Sequence, residues 1–141
     1  MIYTPKTKKA MIIAYNAHHG QKDKSGLPYI HHPLHLAEQM SSEETCIVAL
    51  LHDVVEDTDI TFDYLKKEFS NDILQALELL THDKSVDYFE YIKKLKDNPI
   101  ARTVKIADLR HNSDKSRLDN PTEKDLKRYV KYEKALKILS E

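Results

Sequence analysis

The sequence predicts an all-α fold, one bundle of about eight helices, and three observations carry that expectation. Its 141 residues include only two glycines. Apolar residues recur three and four positions apart along most of the chain, with little of the alternation that marks a strand. No repeat or low-complexity linker divides the chain, and one domain of this size buries about two-thirds of the surface its unfolded form exposes.

Each element has its own local signal. A first helix is expected over 5–19, because Pro5 suits a first turn, Ala10, Ile13, Ala14 and Ala17 share a stripe, and Gly20 can end it. Residues 21–30, with Lys22, Lys24, Gly26 and Pro28, have turn composition and form a loop expected to lie over a site. Pro33 opens a second helix through Met40. Ser41 and Glu44 form a capping-box pair for a third, over 41–57, whose CIVALL run is apolar all round and belongs in the interior. Residues 58–60 break it. Shorter helices follow over 61–69, 71–80 and 86–96. Pro99 opens a buried helix through His111, in which Ile100, Ala101, Val104, Ile106, Ala107 and Leu109 are apolar. Thr122 and Asp125 make a second capping box for a last helix to Leu139, with Leu126, Tyr129, Val130, Leu136 and Leu139 expected to face inward.

Composition excludes several functions. The formal net charge of -1 argues against broad electrostatic binding to nucleic acid or to an anionic membrane. The lone Cys46 lies inside the apolar run, reads as core packing and cannot form an internal disulfide. With no apolar span or leader pattern at the N-terminus, a cytoplasmic, reducing setting is expected. The last helix carries Lys124, Lys127, Arg128, Lys131, Lys134 and Lys137, which by itself reads as a solvated face.

The chemistry concentrates in HDVVED, residues 52–57, where four ionisable side chains close an otherwise apolar helix. A carboxylate removed from water wants a counter-charge or a metal. His52 and Asp53 are consecutive, about 100° apart on a helix, so both can bend toward one ion. His32, just before Pro33, and Asp108, an isolated acid in the second apolar helix, complete an H, HD, D order. Two imidazoles with two carboxylates suit Mn²⁺, Fe²⁺, Co²⁺ or Zn²⁺ and leave positions open for water, the requirement for hydrolysis. Each of these residues alone reads more readily as structural, with the acids paired to Lys or Arg; the combination favours the metal. Glu56 lies at i+4 from His52 and i+3 from Asp53, and Asp57 at i+4 from Asp53, so this acid pair flanks the ion and can orient water or move protons.

These residues sit in stretches that resemble the HD-domain hydrolases of the RelA/SpoT type, especially the short hydrolase-only form. The matching segments are AHHGQKDKSGLPYIHHPLHLA over 17–37, ALLHDVVEDTDIT over 49–61, LTHDK over 80–84 and VKIADLRHN over 104–112, in order and across nearly the whole chain. The resemblance places metal ligands at His32, His52, Asp53 and Asp108, and catalytic acids at Glu56 and Asp57. His31, beside the histidine of the HP pair, is excluded from the ligand set. Substrate contacts by the same resemblance are Lys24, Lys84 and Asn112, with Arg128 and Tyr132 one turn apart on the last helix. It implies one divalent ion, Mn²⁺, and a small nucleotide partner, and leaves the oligomeric state open.

Two departures bear on substrate. Asp23-Lys24 stands where these hydrolases have Arg-Lys, so an acid replaces a cation that contacts the nucleotide, and an acid repels phosphate. Their DRLHN appears here as Asp108-Leu109-Arg110-His111-Asn112, which turns Arg110 elsewhere on its helix. The expected reaction is release of pyrophosphate from (p)ppGpp by a metal-activated water. The alternatives are hydrolysis of another nucleotide (an adenosine alarmone, NADPH or a nucleoside monophosphate) or nucleotide sensing without turnover.

Overall fold

A computed structural model describes all 141 residues. Nine α-helices follow one another, α1 (Pro5–Ala17), α2 (His31–Glu38), α3 (Glu43–Leu51), α4 (Val54–Asp57), α5 (Phe62–Lys66), α6 (Asn71–Leu80), α7 (Tyr88–Leu95), α8 (Pro99–Asn112) and α9 (Glu123–Ser140), with a 3₁₀ turn at Lys115–Arg117. The one β-type pairing is an isolated antiparallel bridge between Lys22 and Pro28. No helix is long and apolar enough to cross a membrane.

The apolar run explains the architecture. Cys46, Ile47, Val48, Ala49, Leu50 and Leu51 are all 0 % exposed, because α3 is enclosed by α1, α2, α6 and α8. A helix without a polar face can only be satisfied that way. Burial raises the Cys46 thiol above its ordinary pKa, so it sits in the core as a neutral thiol. Helix α8 is the second hub and touches α2, α3, α6 and α9. The last turns of α3 and α8 and the start of α2 therefore meet, and these places carry the singled-out histidines and acids.

The caps explain most boundaries. Thr4 and Thr7 close a capping box on α1, and Thr122 and Asp125 close the expected one on α9. Both glycines take positive φ, Gly20 (86°) after α1 and Gly26 (87°) in the following loop.

Three expectations need correction. The cap of α3 is Ser42, not Ser41: the Ser42 hydroxyl accepts from Thr45 N at 3.1 Å, and the later start puts Glu43 and Glu44 together in the first turn, where the helix dipole favours acids. The third helix does not run through HDVVED. It stops at Leu51, the Ala49 carbonyl accepts from the His52 side chain, and Asp53 leaves helical geometry at φ -107°, ψ 1° before α4 resumes. That break accounts for nine helices instead of eight. On α9, Leu126 and Val130 are 50 % and 69 % exposed, because the inward stripe is Tyr129, Ala135 and Leu139, with Tyr132 and Leu136 packed beside it. Leu126 and Val130 share a neighbouring row, one turn apart, that no helix covers.

Candidate metal centre

Three elements converge on one polar pocket in the core: the first turn of α2 brings His32, the turn between α3 and α4 brings His52 and Asp53, and α8 brings Asp108. One nitrogen each from His32 and His52 and one Asp53 oxygen lie within 4.8 Å of one another. Asp108 Oδ1 lies 2.9 Å from His32 Nε2 and 3.5 Å from His52 Nε2. His32, His52 and Asp108 are buried, and the Asp53 side chain is 22 % exposed.

The state of His52 is the sharpest test of whether these residues suit a metal. Its Nδ1 donates to the Ala49 carbonyl at 2.7 Å, which fixes the tautomer and leaves Nε2 as the donor atom. Nε2 is buried with no hydrogen-bonded partner, although Asp53 Oδ2 is 3.0 Å away. Burial pushes the imidazole pKa down, yet Asp53 and Asp108 outweigh burial and hold it well above the ordinary value. The electrostatics that retain a proton there favour a cation equally, so the donor set fits a divalent metal.

Each carboxylate has further partners. Asp108 divides its oxygens: Oδ1 faces His32 and accepts from Asn112 Nδ2 at 3.0 Å, while Oδ2 accepts from Lys105 Nζ at 2.9 Å. Burial raises the Asp108 carboxyl pKa, but Lys105 and the two histidines hold it far below the usual range. The expected pairing of this acid with a lysine and its place beside the histidines thus coexist. Asp53 Oδ2 accepts from the Tyr29 hydroxyl. Behind His32, Nδ1 faces His111 Nδ1 at 2.7 Å, and the rings stack 5.0 Å apart at 6°.

The acid pair lies on α4, just after Asp53, and both residues are exposed. Glu56 Oε1 accepts from His82 N at 3.0 Å. Asp57 is raised to about 6, by burial first and then by the charges of Asp53 and Glu56. Its backbone carbonyl accepts from Gln21 Nε2 at 3.0 Å, and Gln21 Oε1 in turn lies 2.8 Å from His18 Nδ1, which ties the loop at 21–30 to α4.

A cleft of about 350 Å³ opens beside His32, lined also by Lys24, Asn112, Arg128 and Tyr132. Four of the five expected substrate contacts thus meet in one cavity. Lys84 does not line it; it is exposed and lies on the Asp57 side, where its charge lowers that carboxyl. Arg110 is exposed, and His31 lies outside the ligand cluster.

Asp23 departs from its expected effect. Its side chain is only 5 % exposed, and Oδ1 accepts from Ser25 N at 2.9 Å, Ser25 Oγ at 2.5 Å and Leu27 N at 3.1 Å, while Oδ2 accepts from Arg117 Nη2 at 3.1 Å. Its charge folds the loop and holds Arg117 at the cleft, which Asp23 itself also lines. Burial opposes this, but the hydrogen bonds keep the carboxyl below its usual pKa.

Four residues that touch the site were not singled out from the sequence. Lys105 and His111 stand three before and three after Asp108 on one helix, so helical spacing was a signal available for both, whereas Tyr29 lies in the turn before α2. Arg117 had none, since its acid lies 94 positions away.

Comparison with known proteins follows this geometry. The model of the HD domain family matches residues 10–114. The human guanosine-3′,5′-bis(diphosphate) 3′-pyrophosphohydrolase MESH1 is 38% identical over 104 residues, covering 65% of this chain and 58% of that protein. The guanosine-3′,5′-bis(diphosphate) 3′-pyrophosphohydrolase of Aquifex aeolicus is 34% identical over 125 residues, or 80% of this chain, and the bifunctional (p)ppGpp synthase/hydrolase SpoT of Escherichia coli is 34% identical over 121, or 74%. The chain spans only 17% of the length of these two bacterial relatives. A solved structure of a metazoan ortholog of SpoT, described as hydrolysing ppGpp and acting in starvation responses, matches with a TM-score of 0.76 at 26% identity, covering 99% of this chain and 88% of that one.

Proposed function

The chain belongs to the HD-domain family, and from that premise we propose that it is a metal-dependent pyrophosphohydrolase that removes the 3′-pyrophosphate from a guanosine 3′,5′-bis(diphosphate). The observation that carries this reading is the buried Nε2 of His52, its tautomer set by Ala49 and faced by the carboxylates of Asp53 and Asp108, beside a cleft that holds Lys24, Arg117 and Arg128. The names of the relatives supply the substrate.

In this reading His32, His52, Asp53 and Asp108 hold one divalent ion, with Mn²⁺ as the proposed metal. Such an ion, when bound, is a Lewis acid that brings a water's pKa toward neutrality. The reaction joins the water oxygen to the phosphorus on the 3′-oxygen, breaks that P–O bond, and leaves a 3′-hydroxyl and pyrophosphate. One proton must leave the water and one must reach the 3′-oxygen. Asp57, raised to about 6, exchanges a proton near neutral pH, and Glu56 is steadied next to it by His82 N. Tyr29 and Lys105 orient Asp53 and Asp108. Lys24, Asn112, Arg128 and Tyr132 hold the nucleotide, and Lys84 lends charge from the Asp57 side.

The acid at position 23 is the reason to consider a different nucleotide, and its pairing with Arg117 offsets the charge it brings to the cleft. Steady-state assay with guanosine 3′,5′-bis(diphosphate) across Mn²⁺, Mg²⁺, Co²⁺ and Zn²⁺ tests the reading. It expects pyrophosphate and GDP with Mn²⁺ best, and loss of turnover in Asp53→Ala; an Asp53→Ala protein as fast as wild type sinks the assigned centre.

A further inference from the structure

Four of the eight histidines gather where α2 meets α8, and the metal centre uses only His32 among them. His31 and His35 stand one turn apart on α2, both exposed, and neither takes part in the proposed hydrolysis. His111 reaches them from α8. Its ring centre lies 4.2 Å from that of His35 and 5.9 Å from that of His31, and the His31 and His35 centres are 6.3 Å apart.

Two imidazoles at i and i+4 on one helix face can close on a single ion. His111 adds a third ring from a second helix. A point equidistant from the three ring centres is about 3.3 Å from each, which is where an ion sits when bound at about 2.1 Å to a ring nitrogen. The two α2 rings are at the surface and need only turn to present their nitrogens to it. Burial is the first cause that lowers the pKa of His35 and that of His111, the latter to about 3, so both rings are neutral ligands near pH 7. Arg117 adds a positive charge nearby, offset by its ion pair with Asp23 at 3.1 Å, and Glu38 brings a negative charge to the His35 side. An all-imidazole set suits Zn²⁺, Cu²⁺ or Ni²⁺ and holds Mn²⁺ poorly, the reverse of the preference expected where carboxylates share the coordination.

His111 also joins this cluster to the metal centre. Its Nδ1 faces His32 Nδ1 at 2.7 Å, and one proton occupies that gap. A neutral His111 can give Nε2 to an ion only when that proton is its own, on Nδ1. His32 Nδ1 must then accept, which leaves the His32 proton on Nε2, the atom turned toward Asp108.

We propose that His31, His35 and His111 form a second, outer site for an imidazole-binding divalent ion, with Zn²⁺ its best-suited occupant, and that filling it loosens the hold of His32 on the central ion. The outer site stands on the three rings alone; its effect on His32 rests on the metal-centre reading above. Zinc in excess thereby acts as a brake from outside the cleft.

The test compares wild type with the double variant His31→Gln/His35→Gln. Bound zinc is counted by equilibrium dialysis, and Mn²⁺ affinity is read from the electron paramagnetic resonance of free Mn²⁺. Wild type is expected to hold one zinc ion more per chain than the variant; equal counts overturn the site. Equal Mn²⁺ affinity without zinc shows that the exchanges leave the centre intact, and His35→Gln alone replaces the pair if they do not. At a fixed free zinc concentration, the Kd for Mn²⁺ is expected to rise about fivefold more in wild type than in the variant, because direct displacement by zinc is common to both. An equal rise overturns the link to His32. If neither protein binds Mn²⁺, the metal-centre reading fails and the link with it, while the zinc count still decides the outer site.

Discussion

The Nδ1 atoms of His32 and His111 face each other at 2.7 Å, so one of the two must carry the proton between them. If His32 lends Nε2 to a metal, its own Nδ1 is the donor and His111 Nδ1 accepts. His111 is then neutral, with its proton on Nε2, which agrees with a pKa lowered to about 3 by burial and by the charges of Arg117 and the neighbouring histidines. His111 thus acts through His32. His111→Leu keeps the volume but removes the acceptor, and metal affinity measured by calorimetric titration is expected to fall about 10- to 100-fold, as for other partners of ligating histidines. His111→Gln, which offers an acceptor again, is expected to recover part of it.

The same histidine makes stability depend on pH. Its folded pKa of about 3 lies below the unfolded value near 6.5, so between these the unfolded chain binds a proton that the folded chain refuses. Stability from this group is complete above about pH 6.5 and is lost as pH falls toward 3. Thermal melts at pH 7 and pH 4.5 with chelator present are expected to show a smaller drop in Tm for His111→Gln than for wild type; equal drops refute the assignment.

Asp108 ties the candidate metal centre to Lys105 through a buried ion pair. Removing the carboxylate leaves a buried ammonium without its ion pair, so Asp108→Ala is expected to cost about 3–5 kcal/mol in urea unfolding. Asp53, with a side chain 22 % exposed and no lysine on it, is expected to cost far less when changed to alanine. Lys105→Met added to Asp108→Asn removes the orphaned charge and should regain most of the stability but none of the metal binding. If the double variant stays as unstable as Asp108→Ala, the ion pair is not the source of the cost.

How much of this was legible depended on separation along the chain. Apolar spacing located all nine helices except the split at His52, and the uniformly apolar CIVALL run marked α3 as the innermost helix before any contact was known. Acids inside apolar helices drew attention to Asp53 and Asp108 because burial makes them conspicuous. The break between α3 and α4 was hidden, since it depends on a side-chain hydrogen bond from His52 to a carbonyl three residues back. The rim of α9 was misjudged because Leu126 and Tyr129 look alike in a helical pattern, and only the position of α8 decides which of them is covered. Asp23 was misjudged for a related reason: its partner is 94 residues away, and a local comparison assigns a charge to the ligand when the fold assigns it to an arginine.

Asp23 therefore supports a prediction opposite to the intuitive repair. Writing arginine into this position, as in the hydrolases the chain resembles, looks like a gain of one phosphate-binding cation. In this fold it removes the acceptor of Ser25, Leu27 and Arg117 together and sets two guanidinium groups against each other in a nearly buried place. Asp23→Arg is expected to raise KM for guanosine 3′,5′-bis(diphosphate) about tenfold and to lower Tm by several degrees, in line with roughly 1–3 kcal/mol for unpaired buried groups. Asp23→Asn, which keeps an acceptor oxygen, should raise KM less. A KM in Asp23→Arg lower than that of wild type would mean that the acid works against the nucleotide and that Arg117 does not depend on it.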